Sequence, residues 1–155
     1  MTNIILLSIS ALFALGYLIP VTITYGIQPS ISDTYRLLPR KWKWSFTFFI
    51  WGTVLPLFFV AQTDLMAFSA FIMCFVGVTP KFWEKSEGRV HVAAAMGGIA
   101  FQLLSIGIDF KLWYVSVIFI TIYAITEYRK TRNRTTYIEA LAILLAWVIL
   151  YIYRT

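Results

Sequence analysis

Six stretches of the chain are apolar on every side: residues 4–25, 44–61, 65–83, 90–108, 112–128 and 137–153. Each is roughly 17 to 22 residues long, the length a helix rising 1.5 Å per residue needs to cross a hydrocarbon layer about 30 Å thick. A core helix of a water-soluble protein carries an apolar stripe backed by a polar face. These runs have no such face. The pattern therefore predicts an all-α, polytopic bundle of six transmembrane helices, built as a single domain over residues 1–155.

The segments between the runs are short and polar. Residues 26–43 hold Gln28, Ser30, Ser32 and Asp33 and then Arg36, Arg40, Lys41 and Lys43, too polar to enter lipid. The turns at Gln62, Thr63 and Asp64 and at Asp109, Phe110 and Lys111 are tight, and both acids there read as helix starts. No basic residue precedes the first run, which is longer than the core of a secretory signal, so it reads as a retained span with Pro20 near its end. Pro56 and Pro80 predict kinks or frayed ends. Trp42, Trp44, Trp83, Trp113, Tyr128, Tyr137, Tyr151 and Tyr153 fall near the ends, where amphipathic rings settle at the membrane surface.

Composition agrees with lipid as the solvent. Sixty percent of residues are hydrophobic and 13% charged, with a mean hydropathy of +0.78, whereas soluble domains are roughly half apolar and about a quarter charged. The lone cysteine, Cys74, excludes an intrachain disulfide. A net charge of +6 would point to nucleic acid in a soluble protein. Here eleven of the thirteen Lys and Arg residues fall in residues 26–43, 81–89 and 129–134, dispersed over three loops rather than along one amphipathic element, so nucleic acid is not expected. Loops rich in Lys and Arg stay in the cytoplasm. The expected home is a bacterial-type cytoplasmic membrane, multi-pass, with both termini outside.

Candidate chemistry gathers on the predicted cytoplasmic side, at Ser32, Asp33, Tyr35, Glu84, Glu87 and the only histidine, His91. Glu87 and His91 are four apart and share a helix face if the fourth helix starts early. With Ser86 as its cap, Glu87 instead occupies the first turn, favoured by the helix dipole. Ser32, His91 and Asp33 are the catalytic candidates for a hydrolase, although adjacent Ser32 and Asp33 could not easily flank one imidazole. Asp33, Glu87 and His91 could hold a single metal ion, acceptable to zinc, but no cofactor is required. Arg36 and Arg89, with Arg40, Lys81 and Lys85, could receive the phosphate of a lipid headgroup, or serve topology alone. Glu127 and Glu139 read as ion-pair partners of the basic run 129–134.

The fourth run is the expected central helix. Ala93 with Gly97, and Ala94 with Gly98, place small residues four apart, which lets backbones approach in a membrane. Packing within the bundle is the simpler use of that stripe; a homo-oligomer interface is the other. Gly52 and Gly77 carry little weight, and no internal repeat is visible.

Residues 31–34, Ile-Ser-Asp-Thr, resemble an element in the first loop of the DRAM-type six-helix membrane proteins. Residues 77–80, Gly-Val-Thr-Pro, with 88–91, Gly-Arg-Val-His, resemble the Pro-loop-His element of an uncharacterised bacterial membrane-protein family. More distantly, a Ser/Asp loop with a membrane-edge histidine is similar to the superfamily of alkaline ceramidases and progestin-type receptors. The chain departs from the first at Tyr35 and Pro39-Arg40 and in its basic loop, and from the last in having one histidine and six runs rather than three and seven. The resemblance implies a compact helical bundle with a polar pocket at one face. The expected function is binding of a lipid or small amphiphile at a cytoplasmic-face pocket of Ser32, Asp33, Tyr35, Glu87 and His91, with hydrolysis as an added step. A small transporter, channel or structural subunit acting by assembly is the alternative.

Overall fold

A computed structural model describes residues 2–78, 85–129 and 133–153, the side chains of 85–88 excepted. Among the described residues the chain is entirely helical. Helices α1 (Thr2–Tyr25), α2 (Thr34–Leu37), α3 (Trp44–Val60), α4 (Asp64–Val78), α5 (Lys85–Ile108), α6 (Trp113–Tyr128) and α7 (Arg134–Ile152) follow in order, with a 3-10 turn at Arg40–Trp42 before α3. Four of the helical stretches are long and apolar enough to cross a membrane: Thr2–Tyr25, Arg40–Val60, Arg89–Ile108 and Arg134–Ile152. The helices Asp64–Val78 and Trp113–Tyr128 are apolar but shorter. Their outward faces are covered by large apolar side chains, Ile23 and Phe59 among the most exposed, a surface that water would not tolerate and lipid would. This is the make-up of a multi-pass membrane protein.

The helix ends follow local chemistry. Gly26, at φ 72°, takes the left-handed position that closes α1, its N–H donating to Thr22 O, and Gln28 Nε2 donates to Tyr25 O. Such a closure satisfies carbonyls that the helix itself leaves open. At α4, Thr63 Oγ1 accepts the Met66 N–H at 3.2 Å, so Thr63 caps the helix and Asp64 occupies its first turn, where the dipole favours an acid. Asp109 plays another part from the one expected: it accepts Ser105 Oγ at 2.8 Å beyond the end of α5, and α6 starts only at Trp113. Pro20 and Pro56 lie inside α1 and α3, which continue past them. Pro80 lies outside the described residues.

Packing follows chain order, α1 on α3, α3 on α4 and α4 on α5, with α6 against α5 and α7 touching α1, α3, α5 and α6. Each closely packed pair is fastened by a side chain bonding its neighbour's backbone. Ser10 Oγ donates to Thr53 O (2.6 Å), Thr47 Oγ1 to Gly77 O (2.9 Å), Ser69 Oγ to Gly98 O (2.6 Å), Gln102 Nε2 to Ala142 O (2.9 Å) and Ser116 Oγ to Leu103 O (2.8 Å). Glycines set the spacing. Ala94 and Gly98 are buried against α4, and a β-carbon on Gly98 would overlap the Met73 side chain; one on Gly97 meets only Ile72, at 3.7 Å. Of the two small pairs, Ala94 with Gly98 thus works inside the bundle. Gly52 and Gly77 matter more than their sequence context indicates: the Phe13 ring lies directly on Gly52, and Trp51 approaches within 2.9 Å of a β-carbon built on Gly77.

Helices α1, α3, α4, α5, α6 and α7 alternate in direction along the chain. At one end of the bundle Thr63 Oγ1 pairs with Ser105 Oγ at 2.8 Å, and Phe110 packs on Tyr153. Leu7, Met66 and Leu150 pack in one cluster toward the same end. At the other end lie the first loop, the end of α4, the start of α5 and the Glu127 to Arg134 connection.

A polar site under the first loop

The segment between α1 and α3 is a plug rather than a free loop. Ile31, Tyr35 and Leu38 are buried in the same cluster as Tyr17, Phe46 and Phe49. Ser30 shapes the turn, since its Oγ accepts the Asp33 N–H at 3.1 Å and pairs with Asp33 Oδ2 at 2.9 Å. Short hydroxyl side chains compete for backbone partners in this way and so favour turns. Thr34 Oγ1 donates back to Ile31 O and pairs with the Tyr17 hydroxyl at 2.7 Å, which ties the turn to α1.

Helix α7 holds the plug from the opposite side. Thr136 donates its N–H to Pro29 O and its hydroxyl to Gln28 O, at 3.2 and 2.7 Å. Glu139 Oε2 accepts the Ile31 N–H at 2.7 Å, across 108 residues of sequence. The expectation for Glu139 as an ion-pair partner of the basic run is therefore corrected. Glu139 sits more than a turn inside α7 and faces the plug, whereas Glu127 does pair with the run, through Arg134 Nε at 2.6 Å.

His91 reaches the same region from α5. It hydrogen bonds to the Val76 backbone at the end of α4 and lies within electrostatic reach of Asp33; Glu139 lies within reach of Asp33 as well. Asp33 in loop one thus lies within electrostatic reach of a carboxylate on α7 and an imidazole on α5. Of the bases, Arg36 lies 4.0 Å from Asp33, Lys43 Nζ rests 4.7 Å over the Tyr35 ring, and Arg89 is exposed two residues before His91.

Of the residues singled out from the sequence, Asp33 and His91 lie within electrostatic reach of each other, with Arg36 beside Asp33. Ser32 Oγ pairs with Ser30 Oγ at 2.9 Å, so Ser30 links it to Asp33. Tyr35 turns into the core, where its ring meets Phe46 edge-on, and only its cation contact faces the site. Glu87, with Lys85 and Ser86, has its side chain outside the described residues, as do Lys81 and Glu84 entirely. The metal set of Asp33, Glu87 and His91 rests on one of them. Among the described residues no three His, Cys, Asp or Glu side chains are grouped to hold a metal ion.

Sequence reasoning missed Glu139, Tyr17, Ser30 and Thr34. Glu139 carried a signal: it lies inside a predicted span, where an ionisable group is costly and therefore has a purpose. The hydroxyl partners carried none, since Ser, Thr and Tyr occur throughout the apolar runs.

Beside the site, a groove of about 350 Å³ opens between α1 and α3. Gly16 forms its floor, with open space where a side chain would be, and Leu12, Tyr17, Trp44 and Phe48 form its walls. Tyr17 joins the two features, its ring in the groove and its hydroxyl on Thr34. No protein-family model matches the chain, and no curated protein or solved structure is significantly similar to it.

Proposed function

We propose that the chain crosses the cytoplasmic membrane six times with both termini outside, and that the cluster of Asp33, Glu139 and His91 receives the polar head of a lipid or small amphiphile at the cytoplasmic face. The alternating helix directions support six crossings. Helices α4 and α6, about 22 and 24 Å long at 1.5 Å per residue, fall short of about 30 Å of hydrocarbon. A bilayer thins around such segments at modest cost. Orientation follows from the basic residues of the first, third and fifth loops, of which the described ones, Arg36, Arg40, Lys41, Lys43, Arg89, Arg129 and Arg134, lie at the plug end.

The observation that carries the binding reading is that Asp33, in the plug, lies within electrostatic reach of both Glu139 and His91 and 4.0 Å from Arg36. Carboxylates accept hydrogen bonds from an amine or hydroxyl head, and Arg36, Lys43 and Arg89 are positioned for an adjoining phosphate. The α1–α3 groove offers the tail an apolar seat next to Tyr17. Binding, rather than hydrolysis, is the activity this arrangement supports, because Ser32 and Asp33 are joined through Ser30 instead of flanking one imidazole.

Native mass spectrometry of detergent-released protein tests the reading. The wild type is expected to carry an amphiphile that Asp33→Ala and His91→Ala both lose while remaining folded. Wild type without a bound amphiphile, or variants that retain it, would reject the pocket. A reporter fused to the C-terminus that proves cytoplasmic would reject the orientation.

A further inference from the structure

The polar and small residues of α5 are spaced along one face: His91, Ala95, Gly98, Gln102, Ser105 and Asp109, three or four apart. The ends of that row are accessible and its middle is buried. Eighteen residues separate His91 from Asp109, about 27 Å of rise, close to the thickness of a hydrocarbon layer. At the Asp109 end, Asp109, Ser105 and Thr63 form a continuous hydrogen-bonded chain. At the His91 end stand Asp33 and Glu139.

Midway, the row borders a partly open cavity of about 60 Å³ between α3, α4, α5 and α7, with Thr53, Ser69 and Gln102 as the polar side chains in its wall. Thr53 is only 1% exposed, and its hydroxyl has no hydrogen-bond partner among the described residues. A buried hydroxyl without a partner is costly, the more so where lipid surrounds the protein. Its neighbours are committed as donors, Ser69 to Gly98 O and Gln102 Nε2 to Ala142 O, but the Ser69 oxygen can still accept a hydrogen bond. A water molecule needs on the order of 10–15 Å³ and two or more polar partners, and this space supplies both.

We propose that this cavity is a water site and that, with the polar face of α5, it forms a path by which protons cross the membrane between Asp109 and the Asp33, Glu139 and His91 cluster. The path rests on the membrane-crossing part of the proposed function and not on amphiphile binding. Titratable groups stand at both ends, as proton relays require, and hydroxyls, an amide and water line the way from Asp109 to the cavity. On α5 itself the stretch from Gly98 to His91 carries no side-chain donor, which makes it the slow segment.

Full-length protein in liposomes loaded with the pH dye pyranine, with valinomycin and potassium clamping the potential, is given an external acid step. Wild-type liposomes should acidify faster than protein-free ones. Thr53→Val, which keeps the shape and removes the hydroxyl, should slow the protein-dependent flux about tenfold, the change that goes with one lost hydrogen bond. Thr53→Ser should restore it. Wild type no faster than protein-free liposomes overturns the path, as does Thr53→Val conducting like wild type. Should Thr53→Val fail to fold, wild type against protein-free liposomes decides alone. A retained amphiphile in non-conducting wild type sinks the path and leaves the pocket standing.

Discussion

Removing the Glu139 carboxylate should loosen the plug far more than neutralising it. In Glu139→Ala the Ile31 N–H loses its acceptor in a residue only 5% exposed. A hydrogen bond to a charged group contributes about 1.5–3 kcal/mol, and stranding a buried donor adds to the loss. Against this, the change removes a carboxylate held near Asp33, which relieves like-charge repulsion and a desolvation cost. The net loss is about 1–3 kcal/mol, roughly a five- to hundredfold rise in the fraction of molecules with the plug open, at 1.4 kcal/mol per tenfold. Glu139→Gln keeps an acceptor oxygen and loses the repulsion, so it should stay within about 1 kcal/mol of wild type.

Limited trypsin digestion in detergent reads the difference, because Arg36, Arg40 and Lys41 are exposed in the segment that would be released. Cleavage after these residues should accelerate in Glu139→Ala and remain near the wild-type rate in Glu139→Gln. Equal rates for the two variants would show that the Ile31 bond does not hold the plug. Unchanged cleavage in Glu139→Ala would show that Thr136 and the burial of Ile31, Tyr35 and Leu38 suffice without it.

Two further outcomes follow from packing and charge. Gly98→Ala forces Met73 aside and should cost about 1–3 kcal/mol in detergent unfolding. Gly97→Ala meets ordinary contact and should be neutral or stabilising by up to about 1 kcal/mol; dissociation of a dimer by Gly97→Ala alone, seen by native mass spectrometry, would instead assign that face to self-association. Glu127→Gln breaks the Arg134 pair, whose side chains are both partly exposed, and should change stability by less than about 1 kcal/mol; a larger loss would mean that the pair orders the α6–α7 connection.

Much of the architecture was legible because apolar run length and the punctuation between runs are strong signals where lipid is the solvent. Five of the six run starts fall within three residues of the helix starts; the exception is α5, which begins at Lys85, five residues ahead of its apolar run, since polar residues can extend a helix beyond the hydrocarbon. The site was half legible. Asp33 and His91 stood out as scarce polar groups at one predicted edge, and they lie within electrostatic reach of each other. Glu139 was assigned by proximity in sequence to the bases at 129–134, whereas a helix turns its residues through 100° each and aimed this one inward. The plug was invisible in the same way: Ile31, Tyr35 and Leu38 lie in a segment whose average polarity hid three residues spaced to bury together.

The distribution of hydrogen bonds separates the polar groups that clasp helix to helix from those gathered under the first loop. Ser10, Thr47, Ser69, Gln102 and Ser116 each donate to a backbone carbonyl of a neighbouring helix, a use that needs only a short neutral side chain and close approach. Such clasps are economical in lipid, where packing and hydrogen bonding must replace the hydrophobic effect as the force between helices. A carboxylate cannot serve this way, because it accepts and does not donate when ionised. Glu139 is instead matched to an N–H, and inside a helix those are already taken. The plug supplies a free one at Ile31 because its backbone has left helical geometry there. The irregular first loop and the acid inside α7 thus explain each other: the loop dips into the bundle to offer an unpaired donor, and the acid holds it there, with Asp33 and His91 brought alongside.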